Sequence, residues 1–454
     1  MEEVLRELSL PVEGRRGRSL EGLLRERIRR GVLAPGTRLP SSRDLAGQLG
    51  VARGTVTAVY RQLAAEGYLV AVRGSGTRVA ELAAPGAGGG AAPGGARARF
   101  DLSPGLPSLA AFPRAAWLRA VRAALAEVPD AALGYPEAAG SREFRAELAG
   151  YLGRVRSVEA SAERIVVTHG TFDALGLLAG HLREEGHGVI AVEDPCGAGQ
   201  RELLARSGLE VVGVPVDGEG LDVAALAATG ARAVVVTAAH HYPLGVALSA
   251  ARRRALVAWA RERDGLIVED DYDAEYRYDR PALAAVQGMA PEHVVYSGTV
   301  SKTLAPALRL GWLVVPVARH ADLARRMWLR CRGAGGLDQA AFTRFLSGGG
   351  YDRHLRVTRA EYRRRRDAFL AALAELFPQA VPEGIDAGLH VLLRLPEGSD
   401  DAAVARRAQG CGVAVTALSS YAPGHRPALV AGFAGVPVGR MRAAVSALAT
   451  AYVH

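Results

Sequence analysis

Five short apolar runs, each giving way to polar residues at its carboxyl end, constrain this chain more than any other feature. Ile165-Val166-Val167 leads into Thr168-His169-Gly170-Thr171, and Gly188-Val189-Ile190-Ala191-Val192 into Glu193-Asp194-Pro195. Ala233-Val234-Val235-Val236 leads to Thr237 and then His240-His241-Tyr242-Pro243. Gly265-Leu266-Ile267-Val268 leads to Glu269-Asp270-Asp271-Tyr272, and Val294-Val295-Tyr296 to Ser297-Gly298-Thr299-Val300-Ser301-Lys302. Amphipathic helical stretches lie between them, so the pattern predicts an α/β domain on a sheet of buried strands. In open α/β sheets ligands bind outside the carboxyl ends of the strands, where this chain concentrates its polar residues.

That domain begins near Phe100. Ahead of it, Ala83-Ala84-Pro85-Gly86-Ala87-Gly88-Gly89-Gly90-Ala91-Ala92-Pro93-Gly94-Gly95 is low-complexity and predicts a flexible linker. The chain has 454 residues, too many for one ordinary core, and the expected division is a head over 1–80, a linker over 81–99 and a body over 100–454. Residues 1–80 hold 14 Arg against 8 Asp and Glu, so +6 of the net +9 lies there. Such a segment can attract polyphosphate, although charge alone fits a solvated surface as well. No stretch of about 20 uncharged apolar residues is present, which excludes a membrane-spanning helix. The acidic start Met1-Glu2-Glu3-Val4 lacks the order of a signal peptide. Cys196, Cys331 and Cys411 are too scattered for a disulfide framework or a metal cluster, and a cytoplasmic protein without a metal site is expected.

In the head, Leu20, Leu23, Leu24 and Ile28 form an apolar stripe for a first helix ended by Gly31. Ser41 is the N-cap expected for a second, with Asp44 closing a capping box, Leu45, Ala46 and Leu49 facing inward and Gly50 turning the chain. Val56, Val59, Tyr60 and Leu63 give the buried face of a third, which leaves Arg53, Thr57 and Arg61 on another face. Tyr68–Val72, Gly74-Ser75-Gly76 and Thr77–Val79 read as a hairpin wing. A turn between short helices, with a basic face on the second, suits the major groove of double-stranded DNA. The strings Leu39-Pro-Ser-Ser-Arg-Asp-Leu-Ala, Arg53-Gly-Thr-Val-Thr-Ala-Val-Tyr, Glu66-Gly-Tyr and Gly74-Ser-Gly-Thr resemble the winged helix-turn-helix of the GntR superfamily. The resemblance implies that Arg43, Arg53, Thr55 and the wing glycines approach DNA. Ala52 stands where that family usually has a Ser cap, a difference of about 1 kcal/mol in helix stability.

Of the 56 Lys and Arg residues, 55 are Arg, and the single Lys is Lys302. A Lys amine can form a Schiff base, and a guanidinium cannot. An aldehyde cofactor with a pyridine ring and a phosphate needs such an amine, an acid at the ring nitrogen, a phenol near the ring hydroxyl, and donors for the phosphate at a helix start. The strand ends supply Lys302, Asp270, Tyr272, and the set Gly170, Thr171, Thr299, Ser301 and Arg309. Singly, each has a bland reading as a strand-end acid, a turn residue or a surface Arg.

Together they resemble the fold-type I aminotransferases. Glu269-Asp-Asp-Tyr-Asp-Ala-Glu-Tyr-Arg-Tyr, Ser297-Gly-Thr-Val-Ser-Lys-Thr-Leu-Ala-Pro-Ala-Leu-Arg-Leu-Gly and Arg353-His-Leu-Arg are similar to the MocR/GabR subgroup of GntR-type regulators. The resemblance implies a winged helix-turn-helix joined to an aminotransferase fold, with a large mixed-sheet domain and a smaller C-terminal domain. It implies pyridoxal 5'-phosphate bound to Lys302, Asp270 at the ring nitrogen, Tyr272 at the ring hydroxyl, and Thr299, Ser301 and Arg309 at the phosphate. Tyr135 is implied to reach the phosphate site of the other subunit of a head-to-tail homodimer.

The chain departs from relatives around the substrate. Gly197 replaces an aromatic, Gly199 stands where GABA-responsive members have Arg, and Val430 occupies the place of the carboxylate-gripping Arg, leaving Arg201 or Arg426 as substitutes. The expected function is a DNA-binding regulator that uses pyridoxal phosphate as cofactor or signal and senses an amino acid or amine effector, with little or no transaminase turnover. The alternatives are a working aminotransferase with a DNA-binding head, and a regulator whose body has lost the cofactor. Cys196 is expected to be a small filler rather than a nucleophile.

Overall fold

The computed structural model describes residues 16–72, 76–80 and 98–453. It divides into two compact units, Met1–Ala96 and Arg97–His454.

In the first unit, helices α1 (Arg16–Arg29), α2 (Ser42–Leu49) and α3 (Arg53–Ala65) precede a hairpin of β1 (Leu69–Val72) and β2 (Gly76–Val79). Leu20, Leu24, Leu45, Val56, Leu63 and Val79 close a small core. The Ser41 hydroxyl caps α2 by accepting from the Asp44 N–H at 3.2 Å. It donates to the Asp44 carboxylate at 2.7 Å, so that carboxylate takes the hydroxyl rather than a backbone N–H as in a capping box. Gly50 ends α2 in the left-handed region at φ 61°. α3 starts at Ala52 with no side-chain cap. The Leu39 N–H donates to Thr77 O and the Val79 N–H to Thr37 O, both at 2.9 Å, which ties the hairpin to the chain before α2. Residues 73–75 and 81–97 are not among the described residues, so the expectations for Gly74 and Ser75 and for most of the linker over 81–99 lie outside them.

The second unit holds a mixed sheet. Its strands are β4 (Ile165–Thr168), β5 (Val189–Asp194), β6 (Glu210–Asp217), β7 (Gly220–Leu221), β8 (Ala233–Val236), β9 (Leu266–Asp271), β10 (Val294–Thr299) and β11 (Gly311–Val314), after a short β3 (Phe100–Asp101) that lies elsewhere. The order is β4-β11-β10-β9-β8-β5-β6-β7. β10, β9, β8, β5 and β6 run parallel, and β11 lies antiparallel between β10 and β4. The five anticipated runs are strands, four of them extending into the polar residues that follow. β6 and β11 went unanticipated. β6 has one half-exposed face and a proline, and β11 is four residues beginning at a glycine.

A smaller sheet, β12 (Val381–Glu383), β13 (His390–Arg394), β16 (Ala428–Gly432) and β15 (Thr416–Ala417), follows the 27-residue helix Gly350–Leu376, and β14 (Val413–Ala414) pairs with β3. Among the described residues no helix is long and apolar enough to cross a membrane.

Candidate cofactor site and nucleic-acid interface

Strand alternation selects the acid. Successive side chains on β9 point to opposite faces. Glu269 accepts from the Val286 and Gln287 N–H groups at 2.9 and 3.0 Å. Asp271 accepts from Arg156 Nε at 2.7 Å and from the Tyr296 hydroxyl at 2.7 Å, in a pair whose side chains are 1% and 3% exposed. Glu269 is thus held by the scaffold through both oxygens and Asp271 through Oδ2, with its Oδ1 buried and unpartnered, and Asp270 between them faces the other way. Its Oδ1 is buried and has no hydrogen-bond partner. Burial, then the neighbouring Asp271, pushes this carboxyl up to about 7, while Lys302 and a hydrogen bond from Thr171 oppose the shift. Thr171, expected among the cofactor's holders, stands beside this carboxyl.

Parallel pairing of β10 on β9 sets Ser297 opposite Asp270, so the loop leaving β10 carries Lys302 past the same edge. Lys302 Nζ donates to Gly105 O at 2.6 Å. Burial pushes the amine below its ordinary value, and Asp273 and Asp270 push it back. The Thr299 and Ser301 hydroxyls lie 2.9 Å apart, and the Ser301 N–H donates to Thr299 Oγ1 at 3.2 Å. Gly170, at φ 102°, precedes helix Thr171–Glu184. The Arg309 guanidinium lies 3.4 Å from where a side chain on Gly170 would begin. The helix start, Arg309 and the two hydroxyls supply the donor types that a phosphate takes. A carboxylate with an unpartnered sealed oxygen and a nearby amine of lowered basicity are the two groups that a protonated pyridine ring and an aldehyde would engage. The residues present fit pyridoxal phosphate.

Tyr272, half-buried, has its hydroxyl 3.3 Å from His240 Nδ1, and burial pushes its phenol well up. Tyr135 is not among these groups in its own chain. It is 81% exposed and meets the ring of Trp328 edge to face, at 6.1 Å between ring centres. Sequence reasoning missed the Gly105 carbonyl and the buried trio His240, Asp273 and His390. His240 and Asp273 stood inside quoted strings, but which polar strand-end residues would converge depends on strand order.

In the head, Arg43, Arg53, Arg61 and Gly76 are exposed, and Thr55 and Thr57 half-buried. Arg53 Nε donates to the Ser42 hydroxyl at 3.5 Å, which brings the starts of α2 and α3 together on one face. Thr57 turns its hydroxyl back to Arg53 O at 3.0 Å.

Residues 17–79 match the family model for bacterial regulatory proteins of the gntR family, and residues 102–448 the model for aminotransferase class I and II. The HTH-type pyridoxine biosynthesis transcriptional regulator PdxR of Corynebacterium glutamicum is 35% identical, over 88% of this chain and 87% of its own. The probable rhizopine catabolism regulatory protein MocR of Rhizobium meliloti is 33% identical, over 96% of this chain and 93% of its own. The chain belongs to the MocR-type transcriptional regulators of the GntR family. The body also matches the crystal structure of Pyrococcus horikoshii kynurenine aminotransferase, with a TM-score of 0.71, 25% identity, and coverage of 78% of this chain and 90% of that one.

Within this MocR-type body, the positions expected to depart from relatives have defined surroundings. Val430 is fully buried in an apolar cluster with Leu392, Leu418 and Ala428, against Leu244 and Tyr421. Arg201 lies 3.5 Å from Asp194, and Arg426 is at the surface, 3.7 Å from Glu397. Phe172 approaches to 3.1 Å of where a side chain on Gly199 would begin. Cys196 is buried, and burial pushes its thiol up, away from the thiolate a nucleophile needs.

Proposed function

We propose that this regulator binds operator DNA through a head spanning 1–80, joined by a linker over 81–99 to a body over 100–454 that holds pyridoxal phosphate on Lys302 and reports an amino acid or amine. The observation that carries this reading is the sealed, unpartnered Asp270 Oδ1 at the sheet edge that also presents the chain's sole lysine. When bound, the cofactor supplies an electrophilic aldehyde and an electron-withdrawing ring. Asp270 would hold a proton on the ring nitrogen, Tyr272 would donate to the ring hydroxyl, and Gly170, Thr171, Thr299, Ser301 and Arg309 would hold the phosphate. Arg43, Arg53, Thr55, Thr57 and Arg61 would meet DNA, with the Arg side chains on phosphates or base edges. The exposure of Tyr135 supports a homodimer in which it completes the partner's phosphate site.

The alternative, a working transaminase with a DNA-binding head, is disfavoured by Val430. An apolar cluster occupies the place of the Arg that would fix a substrate carboxylate, and Arg201 and Arg426 lie beside other carboxylates. The test is a visible spectrum of the purified protein with added pyridoxal phosphate, followed by borohydride reduction and peptide mapping. A yellow protein with the label on Lys302 is expected. A protein that stays colourless overturns the reading.

A further inference from the structure

His240, Asp273 and His390 form the one buried group of three potential metal ligands among the described residues, with donor atoms within 4.8 Å of one another. Their hydrogen bonds argue for another role. His390 Nε2 lies 3.1 Å from the Pro243 carbonyl, and His240 Nδ1 lies 3.2 and 3.0 Å from the two oxygens of Asp273. His240 Nδ1 and His390 Nε2 are thereby engaged within the protein. The backbone also leaves little room, since a side chain on Gly388 (φ 69°) would begin 2.0 Å from His240 Cε1.

The same geometry selects a tautomer. A carboxylate accepts only, so the ring nitrogen facing both Asp273 oxygens carries the hydrogen. His240 Nε2 is buried and has no partner. A proton there would be an unsatisfied buried donor, whereas a bare lone pair costs less. His240 thus carries its hydrogen on Nδ1. The Tyr272 hydroxyl sits 3.3 Å from that same Nδ1. It cannot donate to a nitrogen that is itself a donor, so it offers only its oxygen there, and its proton must point elsewhere. Among the described residues the phenol has no second partner. Three elements surround this junction. His241 and Tyr242 come from the loop after β8, Asp270, Tyr272 and Asp273 from the end of β9, and His390 from β13.

We propose that His240 is a positioning residue which, with its Nδ1–H fixed by Asp273, turns the Tyr272 proton outward as a donor to a ligand oxygen. The inference rests on the pyridoxal phosphate reading, in which that oxygen is the ring hydroxyl, but the tautomer is a property of the protein without ligand. No atom is transferred. The pair decides which way an existing hydrogen bond runs, and so whether an anionic ring oxygen is welcomed or repelled.

Two measurements on the full-length protein test it. In ligand-free protein with ¹⁵N-labelled histidine, the His240 signals, assigned by their loss in His240→Asn, should report Nδ1–H, and Asp273→Asn should abolish that preference. An Nε2–H form in the wild type overturns the proposal, whether or not pyridoxal phosphate binds. In the cofactor-loaded protein, the pH midpoint of the visible band should move by about one unit or more in His240→Gln and Asp273→Asn. It should stay near wild type in His240→Asn, because the shorter amide N–H reproduces the Nδ1–H donor. A purely structural role would leave the Gln and Asn variants alike, and equal midpoints in the two overturn the proposal. A wild type that never colours, with the Nδ1–H form intact, counts against the cofactor reading alone.

Discussion

Asp270→Asn should strengthen the ligand-free protein while weakening its hold on pyridoxal phosphate. The Asp270 carboxyl is pushed from 3.8 to about 7 by burial and by Asp271. A folded-state value above the unfolded one means that the folded protein binds the proton more tightly. The group therefore costs nothing below about pH 4, costs progressively more as pH rises, and levels off just above pH 7. Three pKa units at about 1.4 kcal/mol each set a ceiling of about 4 kcal/mol. Asn removes the charge, but its amide also needs a partner in the sealed position, which returns about 1–3 kcal/mol. A net gain of about 1–3 kcal/mol at most remains at pH 8. The charge-dependent part of the difference between the two proteins should be less than half as large at pH 5. Urea melts of both ligand-free proteins at pH 5 and pH 8 measure it, and the comparison cancels other buried acids such as Glu193 and Glu275, also pushed up to about 7. Titration with pyridoxal phosphate should show at least about a tenfold loss of affinity, the worth of one charge-assisted hydrogen bond. If the stability difference is the same at both pH values, Asp270 is not an unpaired buried charge and its assignment to the ring nitrogen fails.

Three further outcomes are expected. Arg53→Ala should weaken operator binding by about 1–3 kcal/mol and lower the salt dependence of gel-shift titrations; an unchanged affinity would mean that α3 is not the reading helix. Ala52→Ser should supply the missing cap of α3 and stabilise the head by about 1 kcal/mol in thermal melts, with a lowered melting temperature as the contrary result. Single-turnover spectroscopy with a panel of amino acids should show slow or no conversion to the pyridoxamine form, and rapid release of a keto acid would restore the transaminase reading.

The strands that carry the site were legible because each is a fully buried run with an abrupt polar end, a signal that survives without tertiary context. β6 and β11 lacked it, one being half-exposed and the other four residues beside a glycine. The roles within Glu269-Asp270-Asp271 followed from alternation only once β9 was known to run through all three residues. At Thr171 one dimension leaves two roles open, because a hydroxyl at a helix start serves a phosphate or a neighbouring carboxylate equally well. The trio of His240, Asp273 and His390 joins positions 150 residues apart at its extremes, and no spacing rule connects them.

Lys302 has one more consequence, for chemists rather than for the cell. A chain with a single side-chain amine, half-buried, bonded to one carbonyl and held below its usual basicity, is a natural single-site reagent trap. Amine-directed labels, isotope-coded aldehydes or crosslinkers meet no other side-chain amine in this sequence. Labelling stoichiometry thus reads the accessibility of one pocket directly, without mutagenesis to clear a background. Any effector that shuts or opens the pocket would register as a change in the rate of one modification.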